Sequence, residues 1–195
     1  MYAFEPHPQS FHLLAANSFG KNISVFNFGL SDATGYLPVI ENHENLGASR
    51  ISDQSENTGI EYFVQRLDDL VKDNIKESIG FVKIDVEGHE ARVIRGARQT
   101  LHDSRPILVF EVLNTSAELE PEAVTELREI GYSNFYYMHP AAVWKKIRSK
   151  AIQNIARALS RVFNSSSFER LELRALNCNQ SFQYVVIVAT FEQIQ

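Results

Sequence analysis

Five ionisable side chains fall within the eight residues KIDVEGHE: Lys83, Asp85, Glu87, His89 and Glu90. Crowding like charges costs free energy, so three carboxylates beside a histidine usually have a cation, a substrate or a proton to handle. Three kinds of chemistry are open to them. His89 could take a proton from a substrate hydroxyl. Asp85 could position a substrate or a reacting group, and Asp85, Glu87 and His89, at alternate positions, could together bind a divalent metal. Gly88 would let the chain turn sharply among them. A structural reading competes with all three: His89 and Glu90 would simply open the next helix and favour its positive end.

Two further carboxylates stand where chemistry is expected. Glu5 closes YAFE, a short apolar run, and an acid at the end of such a strand can accept hydrogen bonds from both hydroxyls of a nucleotide ribose. Glu111 closes the apolar run of RPILVFEV, and in a parallel sheet it would lie beside Asp85 on the same edge.

The elements that must position these groups alternate between strand and helix. YAFE is followed by PHPQSFHLLAANSF, where Pro8 suits a helix start and Phe11, Leu13, Leu14 and Phe19 are spaced for one face. ISVFNFGLSD then reads as one strand, and GYLPVIENHENLGASRI as an irregular hairpin with Gly35, Asn42, Asn45 and Gly47 as turn formers. EYFVQ is a short strand, LDDLVKDN a helix, and IGFVKIDVEGHE a strand apolar on both sides, as the middle of a parallel sheet should be. EARVIRGARQTLHDS is an amphipathic helix, RPILVFEV a doubly buried strand, and PEAVTELREIGY a helix with Pro121 in its first turn and Gly131 at its end. NFYYMH and FQYVVIVATF complete the strands, with a short extra strand in NSSSFERLELRAL. This alternation predicts an open, largely parallel α/β sheet, whose ligands sit at the carboxyl ends of the strands. Glu5, the GLSD of residues 29–32, Asp85 to Glu90 and Glu111 are the residues at that edge.

The composition sets outer limits. At 195 residues the chain is read as a single domain over 1–195, long enough to bury a core without disulfides. Its single cysteine, Cys178, has no partner for a disulfide or a cysteine zinc motif. A net charge of −5 argues against nucleic acid as the main partner. The start lacks the basic and apolar run of a secretory signal, and no stretch approaches the roughly 20 apolar residues of a membrane span, so the chain is read as cytoplasmic.

Charge is unevenly spread. Residues 141–163 hold six Lys or Arg and no acid, a basic helical insertion with Ile147, Ala151, Ile155, Ala158 and Val162 at helical spacing. Such a helix could touch an anionic membrane surface or cover an acidic acceptor, with Arg157 and Arg161 as substrate contacts. The plainer alternative is a solvated helix whose apolar stripe lies on the domain.

YAFEPHPQSF, FNFGLSDATGYLPVIEN, VQRLDDLV, FVKIDVEGHEARVIRGA and RPILVFEV, in this order and spacing, resemble the FkbM family of S-adenosylmethionine-dependent methyltransferases. The resemblance covers roughly residues 2–113. It implies a Rossmann-like class I methyltransferase sheet, mostly parallel with its last strand antiparallel, and methyl transfer to a hydroxyl oxygen of a sugar, polyketide or other natural product. It implies that Glu5 holds the cofactor ribose, that Leu30, Ser31 and Asp32 border the adenine, and that Asp85 stands near the methionine part and the acceptor. Catalysis would be mostly alignment of oxygen and methyl group, with His89 as the base.

The same resemblance implies a first strand and a glycine-containing loop ahead of YAFEP, lying between the strand of Glu5 and the strand of Asp85. The sequence as given begins after both, and reads as N-terminally truncated: Met1 is not the true start, another chain supplies the part, or the copy is degraded. A non-catalytic remnant, or half of a split methyltransferase acting as a binding domain, is therefore the alternative function. A nicotinamide-linked dehydrogenase would leave KIDVEGHE without a role and would need a phosphate-binding glycine loop.

Overall fold

Alternating apolar strands and capped helices do build a mixed α/β protein, seen in a computed structural model that describes residues 1–40, 42, 49–52, 59–75, 78–115, 120–140, 171–176 and 182–193. The chain divides into two compact units, Met1–Ser78 with Ile84–Ser104, and Ile79–Lys83 with Arg105–Gln195. Among the described residues no helix is long and apolar enough to cross a membrane.

The first unit begins with β1 (Tyr2–Phe4), α1 (Pro8–Ser18), β2 (Ser24–Phe26) and β3 (Gly29–Leu30). β1 and β2 pair in parallel, with Phe4 opposite Phe26 and their rings stacked at 5.2 Å. Where one strand was expected from ISVFNFGLSD there are two, because the chain changes partner at Asn27: β2 pairs with β1, whereas β3 pairs in parallel with β6 (Glu61–Gln65). The apolar face of α1 is also narrower than expected. Ser18 is its buried residue, Leu13 falls away from that face and is 66% exposed, and Phe19 lies past the last helical residue and is 91% exposed.

β4 (Gly35–Ile40) runs antiparallel to β6 and to β5 (Arg50–Ile51), so the hairpin read from the sequence is present, and the order is β3-β6-β4-β5. β6 alternates as a half-buried strand must, with Tyr62 and Val64 inward and Glu61 exposed. α2 (Leu67–Asn74) packs on α3 (Glu90–Gly96) and α4 (Arg98–Ser104).

The single helix expected over residues 90–104 is broken at Ala97, whose φ of −113° and ψ of 8° leave the helical range. A helix start exposes N–H groups without intrahelical acceptors. Asp68 of α2 supplies them from outside: Oδ1 accepts from the Thr100 N–H at 2.8 Å and Oδ2 from the Gln99 N–H at 3.2 Å. That carboxylate caps the start of α4.

The second unit is a five-stranded sheet in the order β10-β9-β11-β8-β7, formed by β7 (Phe81–Ile84), β8 (Ile107–Thr115), β9 (Asn134–Pro140), β10 (Leu171–Ala175) and β11 (Phe182–Thr190). β11, the last strand, is antiparallel to both β8 and β9. Leu108, Val109 and Phe110 are fully buried in succession, as are Ile187, Val188 and Ala189, so β8 and β11 are covered on both faces. Each large side chain so buried contributes about 1.5–3 kcal/mol. Among the described residues β7, expected in the middle, stands at the edge of this sheet, and its residues 81–83 are half-buried.

α5 (Glu122–Ile130) ends as PEAVTELREIGY predicts. Gly131 adopts φ +115° and its N–H bonds the carbonyls of Leu127 and Arg128, while the Tyr132 N–H also returns to Leu127. The Tyr132 hydroxyl donates to the Pro106 carbonyl at 2.9 Å, and its ring lies 4.2 Å from that of Phe191.

Candidate functional site

Glu5 follows β1 directly, and its N–H still bonds the Phe26 carbonyl at 3.0 Å, so the strand register fixes where its side chain departs. Pro6 then ends the ladder, and His7 caps α1 by accepting the Ser10 N–H at Nδ1, 3.3 Å away. The His7 N–H donates to Glu5 Oε1 at 2.9 Å. Asn27 closes the other side of the turn, its Nδ2 donating to the carbonyls of Glu5 (3.0 Å) and Pro6 (3.2 Å). A half-buried carboxylate is thus held at the carboxyl end of β1 with one oxygen engaged. The sequence placed Glu5 at the end of this strand, and that is where it lies.

Leu30, Ser31 and Asp32 lie at the carboxyl end of β3, where the Ser31 N–H bonds the Gln65 carbonyl at 3.0 Å. Ser31 is fully buried. Its Oγ donates to Asp32 Oδ1 at 3.1 Å and lies 2.9 Å from His89 Nε2. Asp32 also meets Arg95 Nη1 at 3.6 Å and Arg92 Nη1 at 4.0 Å. The two ion pairs are about one-third exposed, so each contributes under about 1 kcal/mol. Gly96 seals the arrangement: a β-carbon on it would collide with the backbone carbonyl of Ser31.

Besides the β6 carbonyl of Gln65, the groups that meet this loop come from α3 and its N-cap His89. Sequence reasoning singled out Ser31, Asp32 and His89 but missed Arg92, Arg95 and Gly96. The signal available was a glycine inside a helical pattern, which costs about 1 kcal/mol and usually marks close packing.

The turn after β7 sorts the KIDVEGHE side chains. Glu87 has φ +50° and Gly88 φ +97°, two left-handed residues in succession. Gly88 accepts this freely, whereas Glu87 carries a strain of roughly 1–2 kcal/mol. The reversal leaves Asp85 exposed and Glu87 half-buried, and turns His89 and Glu90 into the interior at 4% and 9% exposure. Asp85, Glu87 and His89 consequently do not converge, and among the described residues no group of three or more acids, histidines or cysteines could hold a metal ion.

Glu90 Oε1 accepts the Gly88 N–H at 3.0 Å. Burial nevertheless pushes its carboxyl above the ordinary range, with the nearby Glu87 acting the same way and the backbone N–H groups opposing.

Glu111 does not end its strand. β8 continues to Thr115, and Glu111 lies mid-strand opposite Val186 of β11, because that pairing carries the ladder past the acid. Arg157, Arg161 and the whole basic segment of residues 141–163 lie outside the described residues.

With this geometry in hand, comparison with known proteins is informative. The family model of the methyltransferase FkbM domain matches residues 1–134. Hexuronic acid methyltransferase AglP of Haloferax volcanii is 29% identical over 136 residues, covering 65% of this chain and 52% of that protein. The chain thus spans about half the length of the curated relative it matches. The crystal structure of methyltransferase FkbM from Methylobacillus flagellatus KT superposes with a TM-score of 0.43 at 20% identity, covering 68% of this chain and 31% of the other.

Proposed function

Because the chain belongs to the FkbM methyltransferase family, we propose that it transfers a methyl group from S-adenosylmethionine to a hydroxyl oxygen of a sugar or related natural product. The observation that carries this reading is the family match over residues 1–134 together with the carboxylate it leaves at the end of β1. Among the described residues nothing but the His7 N–H bonds the Glu5 carboxylate, which suits the paired hydroxyls of a ribose. A sugar acceptor is supported by the relative whose name specifies hexuronic acid.

When bound, S-adenosylmethionine supplies an electrophilic methyl group. The protein's part is mostly to align it with the acceptor oxygen. Glu5 accepts from the ribose, and the Ser31–Asp32 loop is tied to β6 through the Ser31 N–H. Asp85 and Glu87, exposed and half-buried on a strained turn, are accessible to an acceptor arriving from solvent and can accept the hydrogen bond of its hydroxyl as the proton leaves.

A second reading, a cofactor-binding domain without turnover or one half of a split enzyme, is supported by the pairing among the described residues, where β1 pairs with β2 alone and β7 stands at a sheet edge. Transfer of a labelled methyl group from S-adenosylmethionine to uronic-acid glycans separates the two. Label in the glycan, reduced by Asp85→Asn and Glu87→Gln, supports the enzyme. Cofactor binding with no label in any hydroxylated acceptor supports the second reading.

A further inference from the structure

The buried contact between Ser31 and His89 contains more information than its distance. Serine has one hydroxyl hydrogen, and a carboxylate can only accept. Ser31 Oγ faces Asp32 Oδ1 at 3.1 Å and His89 Nε2 at 2.9 Å. If the hydroxyl donated to the imidazole, Ser31 Oγ and Asp32 Oδ1 would face each other at 3.1 Å as two acceptors, a repulsive arrangement. Both contacts are satisfied in one way: Ser31 donates to Asp32, and His89 Nε2 carries a hydrogen that it donates to Ser31.

We propose that His89 is a positioning residue, fixed in its Nε2–H form to hold the Ser31–Asp32 loop, and is not the base of the reaction. Four observations converge on this role. His89 is 4% exposed; its Nε2 lies against Ser31; Arg92 and Arg95 of the helix it caps grip Asp32; and Gly96 admits the Ser31 backbone against α3. A base must have a vacant lone pair within reach of the acceptor hydroxyl. Nε2, facing Ser31, lacks the lone pair, and at 4% exposure of the whole residue Nδ1 is not open to an acceptor arriving from solvent. The function of the loop in cofactor binding rests on the reading given above; the hydrogen position rests on geometry alone.

The test therefore has two arms. In the first, long-range 1H–15N correlation spectra of the full 195-residue chain report which ring nitrogen of His89 is protonated. Nε2 should carry the hydrogen at neutral pH, with slow solvent exchange that becomes fast in Ser31→Ala. An Nε2 without hydrogen in the neutral ring overturns the proposal.

In the second, the amide of His89→Gln can make the same donation but cannot act as a base. His89→Ala should weaken S-adenosylhomocysteine binding by about tenfold, the order expected for one buried hydrogen bond, and His89→Gln should restore most of it together with the wild-type pH profile of methyl transfer. Transfer lost in His89→Gln with S-adenosylhomocysteine affinity intact is the signature of a base, and overturns the proposal. If the wild-type chain binds no S-adenosylhomocysteine, the cofactor reading fails, while the first arm still decides the role of His89.

Discussion

Gly96 of α3 and Ser31 after β3 approach until no β-carbon fits between them, a collision between a side chain and a backbone carbonyl. Backbone cannot move aside as a flexible side chain would, so Gly96→Ala should destabilise the protein by about 3 kcal/mol in urea denaturation. Gly80→Ala is the control. Nothing lies within 4 Å of its added carbon, and a change within about 1 kcal/mol of zero is expected there.

Asp68 starts α4 from another helix, so its loss should behave as loss of a helix cap. Asp68→Ala should cost about 1–2 kcal/mol, with Asp68→Asn between it and the wild type, because an amide oxygen can still accept one of the two N–H groups. Equal stability of all three in denaturant would show that α4 starts without the carboxylate.

In the second unit, Tyr132→Phe removes the partner of the buried Pro106 carbonyl and keeps the ring against Phe191. A loss of about 1–2 kcal/mol is expected from the unsatisfied acceptor. Chemical denaturation followed by aromatic fluorescence measures it.

Glu90 predicts a pH dependence. Its folded-state affinity for the proton is raised by burial, so as pH rises the unfolded chain gives up that proton first. The folded state then keeps an excess proton, and stability from this group falls with rising pH from the ordinary carboxylate value through the raised one. Glu90→Gln cannot ionise. Its unfolding midpoint should gain on that of the wild type as pH rises from the ordinary carboxylate range, about pH 4, upward, and a parallel course of the two profiles would contradict the buried-acid account.

These positions also mark how far the sequence was legible. EYFVQ, LDDLVKDN, RPILVFEV and PEAVTELREIGY became β6, α2, β8 and α5, because each is decided by its own periodicity and end signals. The break at Ala97 was hidden because its cause is the Asp68 carboxylate, 31 and 32 residues from the N–H groups it receives. The division of ISVFNFGLSD likewise depends on Asn27 bonding backward to Glu5 and Pro6. Glu111 looked terminal because VFEV ends the apolar run, yet β11 supplies register beyond it. For the candidate site, the place of Glu5 at a strand end was legible, and Ser31, Asp32 and His89 were each named. Their assembly across 58 residues of chain, and the roles of Arg92, Arg95 and Gly96, depended on how α3 docks.

The account depends most on Glu5 and the cofactor it is proposed to hold. Calorimetric titration of the wild-type chain and of Glu5→Ala with S-adenosylhomocysteine measures that directly. The account predicts saturable binding by the wild type, weakened at least about tenfold in a Glu5→Ala variant that still unfolds cooperatively, as loss of charge-assisted hydrogen bonds to a ribose requires. A folded wild-type chain that does not bind, or a Glu5→Ala chain that binds equally well, would contradict it.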